Sequence, residues 1–512
     1  MRTVHPKGSF VLQPDIQLFP RPGGGVVLQQ QPLRAIRVNT AAFRALARSQ
    51  KGLSLPMSED TDTVDNTKKL LSFLDTLCQA EILAWSPPSE PYEPTVSIIV
   101  PVYNRADDLD VCLTSLLALD YPPAKLEIIV VDDASRDHTA SVARRYPVRL
   151  VVMPQNVGQS AARNEAVRHA NGELLAFIDS DCIADSGWLR ELLPYFHDPR
   201  VVLVGGKVDA WDGGSLLDEY EKTNSALDMG PKVRVGASPI SDVYVPTCNM
   251  LVRKTAYRAV QGLDADLHLG EDVDFCWKLK SHGYRCVYTP TGRVLHKHRT
   301  RLWDSLKRRF EYGTSEAMLY ARYDQVTKRF PRQPIGLLML LGGLVALLSQ
   351  NLVLAGALFL LPVIEAIYKR RHLAHALDVR LSLPRVILAT MKSHFLLIYY
   401  LTYYGVRYYF GLYLLTTIIW PTLWPLTLCL SVFPGVVDYY RKRSRLFLPA
   451  FLAFFWLEHL FYQLGAFRGC LSQGSFRLYE IKFVSSGFLP EARTGLYGRL
   501  QSLLRRRRTA SA

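Results

Sequence analysis

Three short acidic clusters mark the places where this chain has the side chains for chemistry: Asp132-Asp133, Asp179-Ser180-Asp181, and Gly270-Glu271-Asp272 with Asp274 two residues on. Two carboxylates one residue apart across a turn offer hard oxygen ligands to Mg2+ or Mn2+ and leave positions open for phosphate, so Asp179 and Asp181 suit a cation that bridges a diphosphate. A carboxylate at a strand end can accept from the imide N–H of a base or from a ribose hydroxyl, which fits Asp132 or Asp133. A carboxylate facing a bound hydroxyl can take its proton. Each cluster also has a plain structural reading. Asp133 or Ser135 can cap a helix, Asp-x-Asp is common in loops, and acids in a first helical turn satisfy free amides and the macrodipole.

The elements that must position these acids begin near residue 95. VSIIVPV (96–102), LEIIVVDDA (126–134) and LLAFIDSD (174–181) are β-branched apolar runs that end in polar residues, with helical patterns between them. That is how buried parallel strands read. Ligands of such sheets lie beyond the carboxyl ends of the strands, so the DDA and DSD acids are expected to face one crevice. Pro101 and Tyr103 end the first run, where a base can stack. Gly158 permits a tight turn, and Arg163 and Asn164 on the helix after it can reach the base or diphosphate of a bound nucleotide. In LGEDVDFCWKL (269–279) the helix opens on the acids, and Trp277 either fills core, as its apolar spacing favours, or lines a second substrate site.

At 512 residues the chain is too long for one core. Four segments are expected: 1–90, 95–325, 330–485 and a basic tail, 486–512. The first is a small α+β module with strands at 26–29 and 33–39, a helix over AAFRALARS capped by Asn39 or Thr40, a second helix over 66–83 and a proline-rich linker, 86–94. The third holds apolar stretches at 335–348, 352–367, 395–437 and 446–467. Several fall short of the about 20 residues that cross a bilayer, so hairpins or interfacial helices are expected there.

The net charge of +15 is gathered at 297–332, 369–372, 441–445 and 505–508, beside the apolar blocks. Such flanks meet anionic lipid headgroups and read as cytoplasmic loops; they do not form the aromatic-studded groove of a nucleic-acid binder. The eight cysteines contain no CxxC pair, which points to reduced thiols in packing roles. The N-terminus lacks the apolar core of a secretory signal.

The series IVPVYNR, VVDDAS, Arg163-Asn164 ahead of a strand, DSD, CNMLVRK (248–254), GED and HKHR (296–299) resembles the family 2 glycosyltransferases of GT-A fold over about residues 95–315. The resemblance implies an inverting transfer. Asp272 becomes the general base, Asp181 a metal ligand with His296 completing the shell and His298 in reserve, and Pro101, Tyr103, Asp132, Asp133, Gly158, Arg163 and Asp179 the nucleotide-sugar site. Asn249, Glu271 and Trp277 fall on the acceptor side.

No Gln-x-x-Arg-Trp motif of the processive synthases is present. YEKTNSALDMG (220–230) and HKHRTRLWDSLKRRFEYGTSEA are similar to the glycosyltransferases of mycofactocin biosynthesis. That resemblance implies transfer of glucose from UDP-glucose to a small peptide-derived redox cofactor, building a short β-linked chain, by a cytoplasmic catalytic domain at the cell membrane. The front module resembles winged-helix-like peptide-recognition domains, which take a precursor peptide as an added strand; a degenerate docking domain is the equal alternative. Two rivals stay open: the same chemistry on a lipid-linked sugar of the cell envelope, and a non-catalytic membrane-bound peptide scaffold.

Overall fold

The computed structural model describes residues 7–30, 33–54, 70–78, 80–211, 213–237, 241 and 243–484. The basic tail from 486 and residues 66–69 of the expected second helix lie outside the described residues. The chain divides into two compact units. One takes residues 86–327 and 402–480, the other 9–85 and 328–401 with the strand Ile481–Val484.

The first unit is built on an eight-stranded mixed sheet. Its order is Arg234–Gly236, Arg285–Tyr288, Val201–Gly205, Met250–Arg253, Leu174–Phe177, Val96–Val102, Leu126–Asp132 and Arg149–Val152. The last four run parallel, and Met250–Arg253 is antiparallel to both of its neighbours. The expected parallel strands are all present. Every residue of Val96–Val102 is buried, because helices cover both faces of the sheet. Ile98, Ile99 and Ile129 have no exposed surface, and each such side chain contributes about 1.5–3 kcal/mol of burial.

Register brings the chemistry together. Val102 pairs with Asp132, while pairing with the third strand stops at Ile99↔Phe177, so Asp132 and the DSD turn leave the sheet on one side. Pro101 sits just past the end of that second ladder, where a missing N–H costs least. A separate three-stranded sheet sets Val294–His296 between Cys182–Ala184 and Val208–Ala210, with His296 opposite Cys182. This is the GT-A arrangement.

In the second unit, Ile16–Arg21, Gly24–Gln30 and Leu33–Asn39 form an antiparallel sheet. Its helix Thr40–Ser49 is capped by Asn39, whose Oδ1 accepts from the Ala42 amide at 2.9 Å. Strands Ser9–Leu12 and Leu83–Ser86, which pair with each other, were not expected from the pattern. The second corrects the expected helix over 66–83, which stops at 78; Glu81 there takes a positive φ of 57° that a helix cannot continue.

The apolar region also departs from expectation. Leu352–Leu377, Leu383–Ile419, Pro421–Lys442 and Leu448–Gln473 hold 26, 37, 22 and 26 residues, long and apolar enough to cross a membrane; Pro334–Leu348 is shorter. The expectation of short hairpins fails because helices do not end where hydropathy does. Leu352–Leu377 runs on through its KRRH charges, and Pro362 and Pro434 lie inside helices.

Candidate active site

The DSD turn follows directly on Leu174–Phe177. GED opens the helix Glu271–Ser281, with Gly270 at φ 77°, a conformation that favours glycine. One side chain joins them. Arg163, on the helix Gln159–His169 and 0% exposed, donates through Nη2 to Asp179 Oδ1 at 2.5 Å and through Nη1 to Glu271 Oε1 at 3.3 Å. A buried guanidinium between two carboxylates fixes their separation as a rigid fork, and removing it would strand two buried charges. Thr247 Oγ1 also donates to Glu271 Oε1 at 3.5 Å.

Asp272, beside Glu271, is only partly buried and accepts from the Val273 amide at 2.7 Å. Burial raises its carboxyl to about 8, the Glu271 charge pushing the same way. Burial raises Glu271 as well, against the opposing charge of Arg163. The hydroxyls of Tyr244 and Tyr312 both lie in the field of Asp272.

The other end of the crevice is lined by cations. Arg105 Nη1 pairs with Asp181 Oδ2 at 3.2 Å and with Asp108 Oδ2 at 2.8 Å, and Lys297 Nζ meets Asp108 Oδ1 at 2.6 Å. Burial alone would raise Asp108, but hydrogen bonds from Lys297 and Arg105 overturn that and hold it below the usual carboxylate range. Tyr103, 42% exposed, shares with these groups an open polar pocket of about 520 Å³.

Ligand atoms of Asp181, Cys182 and His296 lie within 4.8 Å of one another. His296 Nε2 is 3.7 Å from Asp181 Oδ1, while its Nδ1 is buried with no hydrogen-bond partner. An imidazole with unspent capacity beside a carboxylate fits a divalent cation.

Several sequence expectations need correcting. His298 is outside that cluster of donor atoms. Its neighbours include Arg309 and Asp218, and burial, reinforced by the positive charges, pushes its imidazole down to about 3. Asn249 is fully buried and spent: it accepts from Trp188 Nε1 at 2.7 Å and donates to the Lys207 and Gly292 carbonyls at 2.9 and 2.8 Å, leaving nothing for an acceptor. Trp277 is core, edge-on to Tyr320 and Tyr323 among Leu267 and Leu319. Asp133 gives both oxygens to the Val157 and Gly158 amides at 2.8 and 2.9 Å, so it holds the loop and does not face a nucleotide. Gly158, at φ 87°, ends that loop.

Asp132 Oδ1 accepts from the Ser135 amide at 2.9 Å. Asn164, the other residue read on the Arg163 helix, binds the Leu263 carbonyl and Tyr257. Arg105, Lys297 and Cys182 were missed by sequence reasoning. Arg105 stands in the quoted YNR, but only the folded pairing with Asp181 shows its place.

The match to known proteins agrees with this geometry. Residues 97–260 match Glycosyl transferase family 2. The pre-mycofactocin glycosyltransferase of Mycobacterium tuberculosis strain H37Rv is 30% identical over 444 residues, covering 85% of this chain and 88% of its own. The chain therefore belongs to glycosyltransferase family 2. More distant relatives include glycosyltransferase AglE of Haloferax volcanii, 28% identical over 44% of this chain and 74% of its own. Among solved structures, the mannosyltransferase PcManGT of Pyrobaculum calidifontis, in complex with GDP-Man and Mn2+, overlaps 65% of this chain and 96% of its own at TM-score 0.39 and 20% identity.

Proposed function

We propose that this glycosyltransferase moves glucose from UDP-glucose to a hydroxyl of premycofactocin, a peptide-derived redox cofactor, with inversion, and extends it into a short β-linked oligosaccharide. The M. tuberculosis relative, alignable over most of both chains, supports the acceptor. The observation that supports the mechanism is the shared Arg163, which ties Asp179 and Glu271, and with Glu271 the base Asp272, into one crevice.

Asp272 removes the proton from the acceptor hydroxyl as that oxygen forms its bond to the anomeric carbon. The bond from that carbon to the diphosphate breaks on the opposite face, and its electron pair leaves with UDP. A raised carboxyl is a stronger base than a free one, which suits the task. Asp181 and His296 would hold Mg2+ or Mn2+, which when bound neutralises charge gathering on the diphosphate. Arg105 and Lys297 add fixed positive charge on that side, while Tyr103, Pro101, Asp132 and Asp179 line the donor end.

Nucleotide sugars are cytosolic, so the catalytic unit faces the cytoplasm, with the apolar helices in or on the cell membrane. The strand Leu33–Asn39, which has no second strand beside it among the described residues, leaves an edge where a precursor peptide could add.

Mass spectrometry of products from detergent-solubilised protein offered several UDP-sugars with premycofactocin tests the reading. A glucose adduct made only from UDP-glucose is the expected result. The four long apolar helices favour one second reading, transfer to a polyprenyl-linked sugar, and product on that acceptor alone would replace the first.

A further inference from the structure

One cation on the acceptor side has no role in the proposed reaction. Arg407 lies on the apolar helix Leu383–Ile419 and, among the described residues, has no carboxylate within 4 Å. Its guanidinium carbon lies 3.7 Å over the Tyr462 ring and 6.0 Å from that of Tyr408, and the Tyr403 hydroxyl is a further polar neighbour. A charge on an apolar helix is costly, so one without an ion pair usually serves a ligand.

Its surroundings lead back to the base. The Tyr244 hydroxyl, which burial and the Asp272 charge push above the usual phenol range, also lies in the field of Arg407. Tyr244 thus stands between the proton acceptor and the cation.

The sign of the surroundings selects the ligand. Glu316 accepts from Tyr408 at 2.7 Å and from Tyr462, and its charge reaches Arg407. With one cation and one anion in each other's field, the local net charge is near zero. A phosphate would gain little there, whereas a carbonyl oxygen gains a charge-assisted hydrogen bond and carries no charge to desolvate.

We infer that Arg407, with Tyr244 and Tyr403 beside it, forms the acceptor-recognition site of this enzyme and binds a carbonyl oxygen of a small neutral acceptor whose hydroxyl is held at Asp272. The inference rests on the small-molecule reading of the acceptor above. Arg407 touches the acceptor at a distance from the reacting atoms, so it sets affinity and leaves donor binding alone.

The test measures acceptor KM, kcat and UDP affinity for the full-length detergent-solubilised enzyme and for Arg407→Gln and Arg407→Lys, with the small carbonyl-bearing redox acceptor and with a polyprenyl-diphosphate sugar. Arg407→Gln should raise the small acceptor's KM about 10- to 100-fold, the worth of one hydrogen bond from a charged group. Its kcat should fall less, its UDP affinity should hold, which also reports a folded protein, and Arg407→Lys should recover part of the loss. Small-acceptor transfer by the wild type with an unmoved KM in Arg407→Gln would overturn this site while leaving the functional reading intact. Wild-type transfer to the lipid-linked sugar alone would overturn the functional reading and the carbonyl ligand together.

Discussion

The two ends of the crevice treat their carboxylates in opposite ways. At one end Asp272 and Glu271 stand side by side, pushed up by burial and by each other, with a single guanidinium, Arg163, bonded to the pair. At the other, Asp108 is held down by Lys297 and Arg105, and Asp181 shares Arg105 with it. A transferase that deprotonates a hydroxyl while releasing a diphosphate needs this asymmetry: a site that wants protons facing one that wants anions. The pattern follows from where cations fall along the fold, since the carboxylates themselves are chemically alike.

If the base end is read correctly, Asp272→Asn gives the largest effect. Transfer should fall about 10²- to 10⁴-fold, the usual worth of a general base, while UDP affinity by titration stays unchanged. Loss of UDP binding in this variant would move Asp272 to the other end of the comparison.

Arg163→Met removes the link between the ends. It leaves Asp179 and Glu271 buried without their shared cation and should cost about 3–5 kcal/mol in denaturant unfolding. A variant as stable as wild type would mean that the two ends are held together by other contacts.

Asp181→Ala and His296→Ala should each lose divalent-dependent UDP affinity, by about 10- to 100-fold or more. His298→Gln should keep it, because His298 lies outside the Asp181 cluster. Equal losses in all three would restore His298 to the shell.

The smallest effect is in pH. Asp272 works ionised, so kcat/KM should rise with pH through a midpoint near the pair's raised value of about 8. Glu271→Gln removes a like charge and should move that midpoint down, read from a pH–rate profile. Stability carries the converse sign. A carboxyl raised in the folded state contributes fully below its unfolded value, near pH 4, and loses that contribution as pH climbs through about 8. Asp108, held low, contributes above its unfolded value and loses that contribution as the solution is acidified through its folded value.

Much of this asymmetry was legible as residue types. Asp179, Asp181, Asp272 and His296 were named from spacing and from resemblance, because strand ends and helix starts are written locally in β-branched runs and in glycine followed by acids. Asn249 and Trp277 were assigned to the acceptor side on the strength of their motifs. The fold spends the first on three hydrogen bonds and the second on core, and a motif does not say which way a side chain faces. Arg105, Cys182 and Lys297 went unread for the converse reason: their place depends on His296 pairing with Cys182 and on residues 108 and 297 meeting across the fold.

By itself, then, the sequence determined the alternation of strands and helices, the acids at their ends and the apolar back half, since local pattern and burial energy fix those. Only the tertiary structure decided which cation faces which acid, that Arg163 fastens DSD to GED across 108 residues of chain, and that Arg407 faces the field of Asp272. Charge interactions act through space over a few ångströms, and no pattern along the chain records which distant groups will meet.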